Sequence, residues 1–485
     1  MALRPLIAIF GTTGVGKSNL AIELALHISK TCKGARIINA DAMQVYAGLD
    51  LITNKVPDTE RHGVEHLLMG FKQPGEQYVV GQWVKDAIRA IDETHLREEI
   101  PIVVGGTSYW MQHLMFPDRL AGTQPETALV LSESITSALT SLPPHLLELF
   151  NSLPQQPPDA AVDPAAASAL HLLLLHLDPA IAARWHWRDT RKVFRSLCIV
   201  KDTGRRPSEI LSEQAETVLK PRYRTLCFWL YAEPSVLHRR LDSRVDAMIE
   251  RGLLDEVRAL HSLSQQPAST DTDYTLGIYQ SIGYKEFHGY LTAPSQTETA
   301  FNEAVENMKL STRQYAKRQI SWIRNKLLPA INATNAEDTT VPTYLLDATD
   351  IGEKWISRVR DPALQLSRDF LNSADLRDPL TLSETARTML EVSDKPVDPT
   401  AVLKAQRKVV CSVCTVDPTQ PFMVDEGRLA AHLESRPHKR LVNKKTPEQY
   451  KEENRLRRLR QTGTPKVTAE SEVETETSSG SLFSS

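Results

Sequence analysis

At 485 residues the chain is too long for one compact unit, and roughly 100–200 residues per domain suggests two to four. Hydrophobic residues make up 41%, enough for a packed core. The balance of 57 Lys plus Arg against 60 Asp plus Glu, a net charge of -3, excludes a uniform polycation and confines any nucleic-acid surface to a local patch. Five cysteines without regular spacing over most of the chain exclude a disulfide scaffold, and no apolar run approaches the length of a membrane span.

The first strand is expected to begin by Pro5, which leaves no room for a signal or transit peptide ahead of it and suggests a soluble intracellular protein. Residues 1–120 alternate apolar runs (Pro5–Phe10, Ala35–Ala40, Ile102–Val104) with amphipathic stretches, the pattern of a parallel sheet covered by helices. Between the first run and its helix, Gly11, Gly16, Lys17 and Ser18 fit the phosphate-loop pattern G-x-x-x-x-G-K-[S/T]. Backbone N–H groups at such a helix start wrap a phosphate, Lys17 adds a point charge, and the Ser18 hydroxyl can hold Mg²⁺. A nucleotide hydrolase usually closes an apolar strand with a metal-binding Asp, whereas "PIVV" here closes with "GGTSYW" and offers Thr107. Asp41 ends the second run and belongs on the same sheet edge as the loop. It either binds a cation or does chemistry there, or it contacts a ribose or caps the strand end.

Residues 121–185, rich in Leu, Ala and Pro, suggest a helical insertion broken by proline turns. The remainder of the core is expected over 186–375, with a strand at Thr225–Ala232, helices from Pro234 to about Lys326, and a last strand in "TYLLDAT" followed by a helix. Within it, "RKVFR" supplies three positive charges and one aromatic, which suits RNA phosphates and stacking but also suits a solvated helix face. Lys309, Arg313 and Lys317 recur every four residues and, with Arg318 and Arg324, form a basic stripe read as RNA-backbone binding.

A polar linker is expected at 376–405 and a small module at 406–445, where Cys411, Cys414, His432 and His438 give C-x2-C-x17-H-x5-H. Two cysteines on a tight turn and two histidines on a helix close a tetrahedral Zn²⁺ shell. Four protein ligands leave no open position, so this zinc is structural. The spacer resembles matrin-type or U1-like fingers. From Arg436 to Arg460 ten Lys or Arg stand against three Glu, a density that serves RNA-backbone binding or nuclear import equally. The tail over 446–485 turns from basic to acidic and lacks the apolar residues for a core.

The stretches "GTTGVGKS", "NADAMQVYAGLDLITNKV", "VVGGTSYW", "LDPAIAARWHWRDTRKVFRSLCIVKDTGRRPSE", "DSRVDAMIERGLLDEV", "GIYQSIGYKEF" and "TRQYAKRQISWIRNK" occur in one order across roughly residues 6 to 326. Together they resemble the tRNA dimethylallyltransferases, and "LITNKV" with the finger resembles the eukaryotic branch. The resemblance implies transfer of a dimethylallyl group from its diphosphate to the exocyclic N6 amine of the adenosine just 3′ of the anticodon, in tRNAs reading codons that begin with U. Gly11, Thr12, Thr13, Gly14, Val15, Gly16, Lys17 and Ser18 would then hold the prenyl diphosphate and its Mg²⁺. Arg244 would contact the pyrophosphate. Asp41 would bind and deprotonate the amine, and Thr107 would lie between donor and acceptor. Asp41, Ala42, Met43 and Gln44, with Thr107, would touch the tRNA, as would Arg191, Lys192, Val193, Phe194 and Arg195, while the insertion would grip the anticodon stem-loop. The chain is expected to be a monomer, cytoplasmic with nuclear and mitochondrial pools and without membrane attachment. Three other readings remain open on sequence: an adenylate isopentenyltransferase, a small-molecule kinase and a non-catalytic RNA-binding scaffold.

Overall fold

The computed structural model describes residues 3–117, 131–216, 219–264, 277–336, 339–391, 407–443, 451 and 454–456. Most of the charged tail expected over 446–485 lies outside the described residues, as does the stretch 392–405 of the expected linker.

Six parallel strands form the central sheet: β1 (Pro5–Gly11), β2 (Ala35–Asn39), β3 (His66–Leu67), β4 (Ile100–Gly105), β5 (Arg224–Tyr231) and β6 (Thr343–Asp347), in the spatial order β3-β2-β4-β1-β5-β6. Continuous apolar runs form these strands because helices cover both faces, so neither side-chain direction meets water. Along β1, Leu6, Ala8 and Phe10 face one apolar cluster while Ile7 and Ile9 face the other; on β5, Trp229 and Phe228 divide the same way. The register Ile7↔Ile102 and Ile7↔Leu226 aligns the strand ends, so the loops leaving β1, β2 and β4 emerge at one edge.

The first face-covering helices are α1 (Lys17–Ile28), α2 (Val80–Leu96) and α3 (Ser108–Met115). A helical body follows: α4 (Glu133–Thr140), α5 (Pro144–Asn151), α6 (Pro164–Leu177), α7 (Pro179–Ala182), α8 (Thr190–Thr203) and α9 (Pro207–Glu216). It has its own core, in which Leu170, Leu173 and Leu174 meet Val193, Leu197 and Val200. The insertion therefore packs as a unit well past residue 185, because the apolar stripe of α8 is buried there and not on the sheet. Asp178 ties the unit together by accepting N–H bonds from Ile181 (3.1 Å) and Ser208 (2.8 Å).

The chain returns to the sheet through β5 and continues in α10 (Pro234–Glu250), α11 (Leu253–Ser264), α12 (Tyr284–Thr292), α13 (Glu298–Trp322) and α14 (Leu328–Thr334), then β6, α15 (Asp361–Leu371) and α16 (Glu384–Leu390). The polar stretch from 376 is not linker throughout, since Ala386 and Leu390 of α16 are buried in the main core. Two short strands, β7 (Lys408–Val410) and β8 (Met423–Asp425), pair antiparallel and precede helices at Leu429–Glu434 and Arg436–Val442. Among the described residues no helix is long and apolar enough to cross a membrane.

Candidate active site

Residues 12–16 turn sharply between β1 and α1. Gly16 caps α1 at φ 81°, a left-handed conformation, and a Cβ there would stand 2.8 Å from the Trp355 ring. That indole donates to the Glu23 carboxylate (3.0 Å to Oε2), so the segment after β6 braces the loop from behind. Arg240 on α10 braces it from the side, donating to the carbonyls of Gly14 (3.0 Å) and Ala348 (3.1 Å). One turn later Arg244 donates through Nη2 to the Thr13 hydroxyl (2.8 Å).

The loop gathers cations that burial penalises. Lys17 donates to the Thr12 carbonyl (2.7 Å), and desolvation takes its pKa from the usual 10.5 down to about 8. Nearby Asp41 opposes that shift and Arg244 adds to it. Arg244 is likewise lowered to about 10, first by desolvation, with Asp41 again opposing. The buried Nε of Arg244 and hydroxyl of Thr12 have no protein partner. Two depressed cations and two orphaned polar atoms around one loop describe a site built for a polyanion, whose arrival restores the lost solvation.

Across from the loop, Asp41 follows β2. Its N–H donates to Asn39 Oδ1 (3.0 Å), and its Oδ1 accepts from the Met43 N–H (3.0 Å). The bland role of a strand-end cap is thus met by one oxygen. The other, Oδ2, lies over Gly106, where a Cβ would come within 3.2 Å of it. Thr107 accepts the Ala42 N–H at its hydroxyl (3.1 Å), fixing the loop after β4 against the loop after β2. The phenol of Tyr315 on α13 lies beside Gly106 and Asp41; burial, then the Asp41 charge, raises its pKa.

The C-terminal module brings Cys411, Cys414, His432 and His438 together, with ligand atoms within 4.8 Å of one another. Cys411 Sγ and Cys414 Sγ stand 3.5 and 3.4 Å from His438 Nδ1, and Cys414 Sγ stands 3.4 Å from His432 Nε2. A tetrahedral Zn²⁺ with ordinary bond lengths sets a sulfur–nitrogen edge of roughly 3.5 Å. These four residues therefore fit zinc, through Nε2 of one histidine and Nδ1 of the other. The module rests on the insertion through Trp187 Nε1, which donates to the Pro421 carbonyl (2.8 Å), and through the Lys408 N–H to Ala183 (2.6 Å).

Residues 44–326, more than half of the chain, match the family model described as IPP transferase. The fission yeast Schizosaccharomyces pombe tRNA dimethylallyltransferase is 38% identical over 452 residues, covering 91% of this chain and 96% of that protein. The chain belongs to the tRNA dimethylallyltransferase family. The human tRNA dimethylallyltransferase is 35% identical over 76% of this chain and 74% of its own length. A solved eukaryotic dimethylallyltransferase acting on tRNA superposes with a TM-score of 0.68 at 32% identity, covering 95% of this chain and all (100%) of that one. The parallel sheet with its surrounding helices is the fold of this enzyme family, and the phosphate loop lies ahead of the residues matched by the family model.

The dimethylallyltransferase fold treats the RNA-facing candidates unequally. Arg191, Lys192 and Arg195 sit on the outer side of α8, with the Lys192 ammonium 4.9 Å from the Trp185 ring centre, whereas Phe194 is half-buried against the insertion core. Val193 is fully buried in the insertion core, so its part is to hold α8 in place, not to touch RNA. Gln44 spends its amide on the carbonyls of Thr53 (3.2 Å) and Asn54 (3.0 Å), shaping its own loop. The basic stripe on α13 is shorter than its spacing suggests. Lys309 pairs with Asp246 (2.8 Å) and Glu306 (3.0 Å), and Arg313 pairs with Asp242, so acids of α10 neutralise both. Lys317 and Arg318 remain exposed.

Tyr315, Gln319, Arg240 and Trp355 join the site although the sequence assigns none of them a role, the first two lying unmarked inside "TRQYAKRQISWIRNK". Tyr315 and Gln319 carry a faint sequence signal, as polar residues four apart sharing a helix face with buried Thr312. Arg240 stands one turn before Arg244 in the same way.

Proposed function

We propose that this protein transfers the dimethylallyl group of dimethylallyl diphosphate to the N6 amine of the adenosine 3′-adjacent to the anticodon, in tRNAs reading codons that begin with U. The observation that carries the reading is the shared sheet edge: a polyanion cradle faces a carboxylate oxygen that no strand-end role consumes, with Thr107 beside it. Relatives named for this activity act on tRNA, and the alignments span nine-tenths of the chain.

In this reading Lys17, Arg244 and the loop N–H groups bind the diphosphate and stabilise the charge that grows on it as the allylic carbon–oxygen bond breaks. Ser18, at the start of α1, would hold Mg²⁺ with the diphosphate, and the ion would add to that stabilisation. The adenine nitrogen attacks the allylic carbon, its proton becomes acidic as the new bond forms, and Asp41 Oδ2 takes it. Thr107, steadied by Ala42, orients the partners. An enzyme acting on a base must first draw it out of the stack. The cations of α8 and the exposed Lys317 hold the RNA backbone while the insertion grips the stem-loop. The cleft between insertion and finger, about 600 Å³, continues that surface through Arg184, Trp185 and Arg428, while Lys192 and Lys408 in its lining pair with Asp189 and Asp425. The protein acts as a monomer in the cytoplasm, with nuclear and mitochondrial pools.

Incubation with radiolabelled dimethylallyl diphosphate, Mg²⁺ and either an anticodon stem-loop with three adjacent adenosines or free AMP tests this directly. Label in the stem-loop alone is expected. Label in AMP alone assigns a free-nucleotide prenyltransferase, and label in neither, with tight ATP binding, assigns a kinase.

The zinc of the finger is structural, so Cys411→Ser is expected to weaken stem-loop binding several-fold and to flatten its salt dependence in proportion to the RNA phosphates the finger neutralises. Turnover at saturating RNA should stay within about twofold, because the finger contributes nothing to the sheet edge. Binding titrations at two salt concentrations check this, and an equal loss in turnover would place the finger in the chemistry.

A further inference from the structure

Gln319 lies between the two halves of the site. Its side chain is buried, 5% exposed, on α13. Oε1 accepts the N–H of Thr13 in the phosphate loop (2.9 Å), and Nε2 donates to the carbonyl of Gly106 (2.9 Å). The first contact leads to Arg244, which holds the Thr13 hydroxyl; the second leads to Asp41 and Thr107, which flank Gly106. A Cβ on Gly106 would come within 2.7 Å of Nε2, so the glycine is what admits the amide. Among the bonds described, no other side chain bridges the loops after β1 and β4.

We propose that Gln319 is a positioning residue that sets the separation between prenyl donor and acceptor amine. The role rests on the transfer reaction proposed above. Both loops are backbone turns at a sheet edge, and each could shift along its strand direction without breaking the sheet. The amide of Gln319 has one donor and one acceptor face in fixed opposition, so satisfying both bonds fixes one spacing. Tyr315, one turn earlier, packs its phenol beside Gly106 next to the same amide. Transfer demands the allylic carbon and the amine within near-contact, and a displacement of about 1 Å costs about 10²-fold in rate. Holding that spacing raises the rate of the chemical step without touching either substrate.

The test uses the full-length protein and its Gln319→Met and Gln319→Glu variants. Methionine keeps the volume and loses both bonds; glutamate keeps the acceptor for Thr13 and loses the donor for Gly106. Three quantities are read: calorimetric affinity and stoichiometry for inorganic pyrophosphate, stem-loop affinity, and the single-turnover rate of label transfer per binding-competent site. Both variants are expected to lose about 10²-fold in single-turnover rate; stem-loop affinity stays within about threefold in both, and pyrophosphate affinity stays within about threefold in the methionine variant, while the carboxylate of the glutamate variant, facing the phosphate loop, weakens it. A merely structural role would instead lower the pyrophosphate stoichiometry and leave the rate per competent site unchanged, which would overturn the proposal. A variant rate within about threefold of wild type would overturn it as well. Wild-type protein that transfers no label to the stem-loop would bring down the proposed reaction itself, and this role with it.

Discussion

Replacing Asp41 with alanine is expected to lower the single-turnover transfer rate by about 10²–10⁴, the range for loss of a general base, with prenyl-donor affinity little changed. Alanine alone does not isolate the chemistry, because Asp41 Oδ1 also accepts the Met43 N–H and shapes the loop that follows β2. Asp41→Asn separates the two roles. An asparagine oxygen can still accept from Met43, and its amide nitrogen, placed where Oδ2 lies over Gly106, cannot take a proton. The expected outcome is that asparagine loses as much rate as alanine while donor binding remains. An asparagine variant near wild-type rate would reduce Asp41 to a turn-former and leave the proton without a protein acceptor at this edge.

Sequence makes legible whatever lies close together along it. The phosphate loop declares itself through eight consecutive residues between an apolar strand and a helix, and Asp41 through its place at the end of the next apolar run. The four metal-ligand candidates are legible from spacing, and the structure brings their ligand atoms together. Contacts between distant segments are not legible. Gln319 meets Thr13 across 306 positions, and Trp355 meets Glu23 across 332. Lys309 and Arg313 look like free cations because nothing in α13 shows that Asp246 and Asp242 of α10 will face them. The end of the insertion, expected at 185 and found beyond α8, differs for a related reason. The apolar residues of α8 fit a helix on a sheet as well as a helix in a bundle, and only the partners on α6 decide between them. The two-residue strand β3 carries too few residues to show a pattern at all.

Lys17→Met is expected to abolish measurable transfer and to weaken pyrophosphate binding by about 10²-fold or more, because a charge-assisted contact to the polyanion disappears. The same substitution should stabilise the empty protein. The ammonium titrates at about 8 in the folded chain against 10.5 as its usual value, so folding opposes its charge. Below pH 8 both folded and unfolded chains carry the proton, and the folded state bears the full penalty, of the order of 3 kcal/mol. Between about pH 8 and 10.5 the folded chain releases the proton while the unfolded chain keeps it, so the penalty shrinks as pH rises. Wild type should therefore gain stability across that interval relative to the methionine variant, and the two curves should converge at its upper end. Ligand binding runs the other way. Pyrophosphate favours the ammonium, so binding above pH 8 takes up a proton and affinity falls as pH climbs. Denaturant titrations of both proteins at about pH 7 and about pH 9.5, with pyrophosphate calorimetry at the same values, measure all three signs. A methionine variant less stable than wild type at neutral pH would show that the Lys17 bond to Thr12 outweighs its desolvation, and that the loop is held ready by its own lysine before any phosphate arrives.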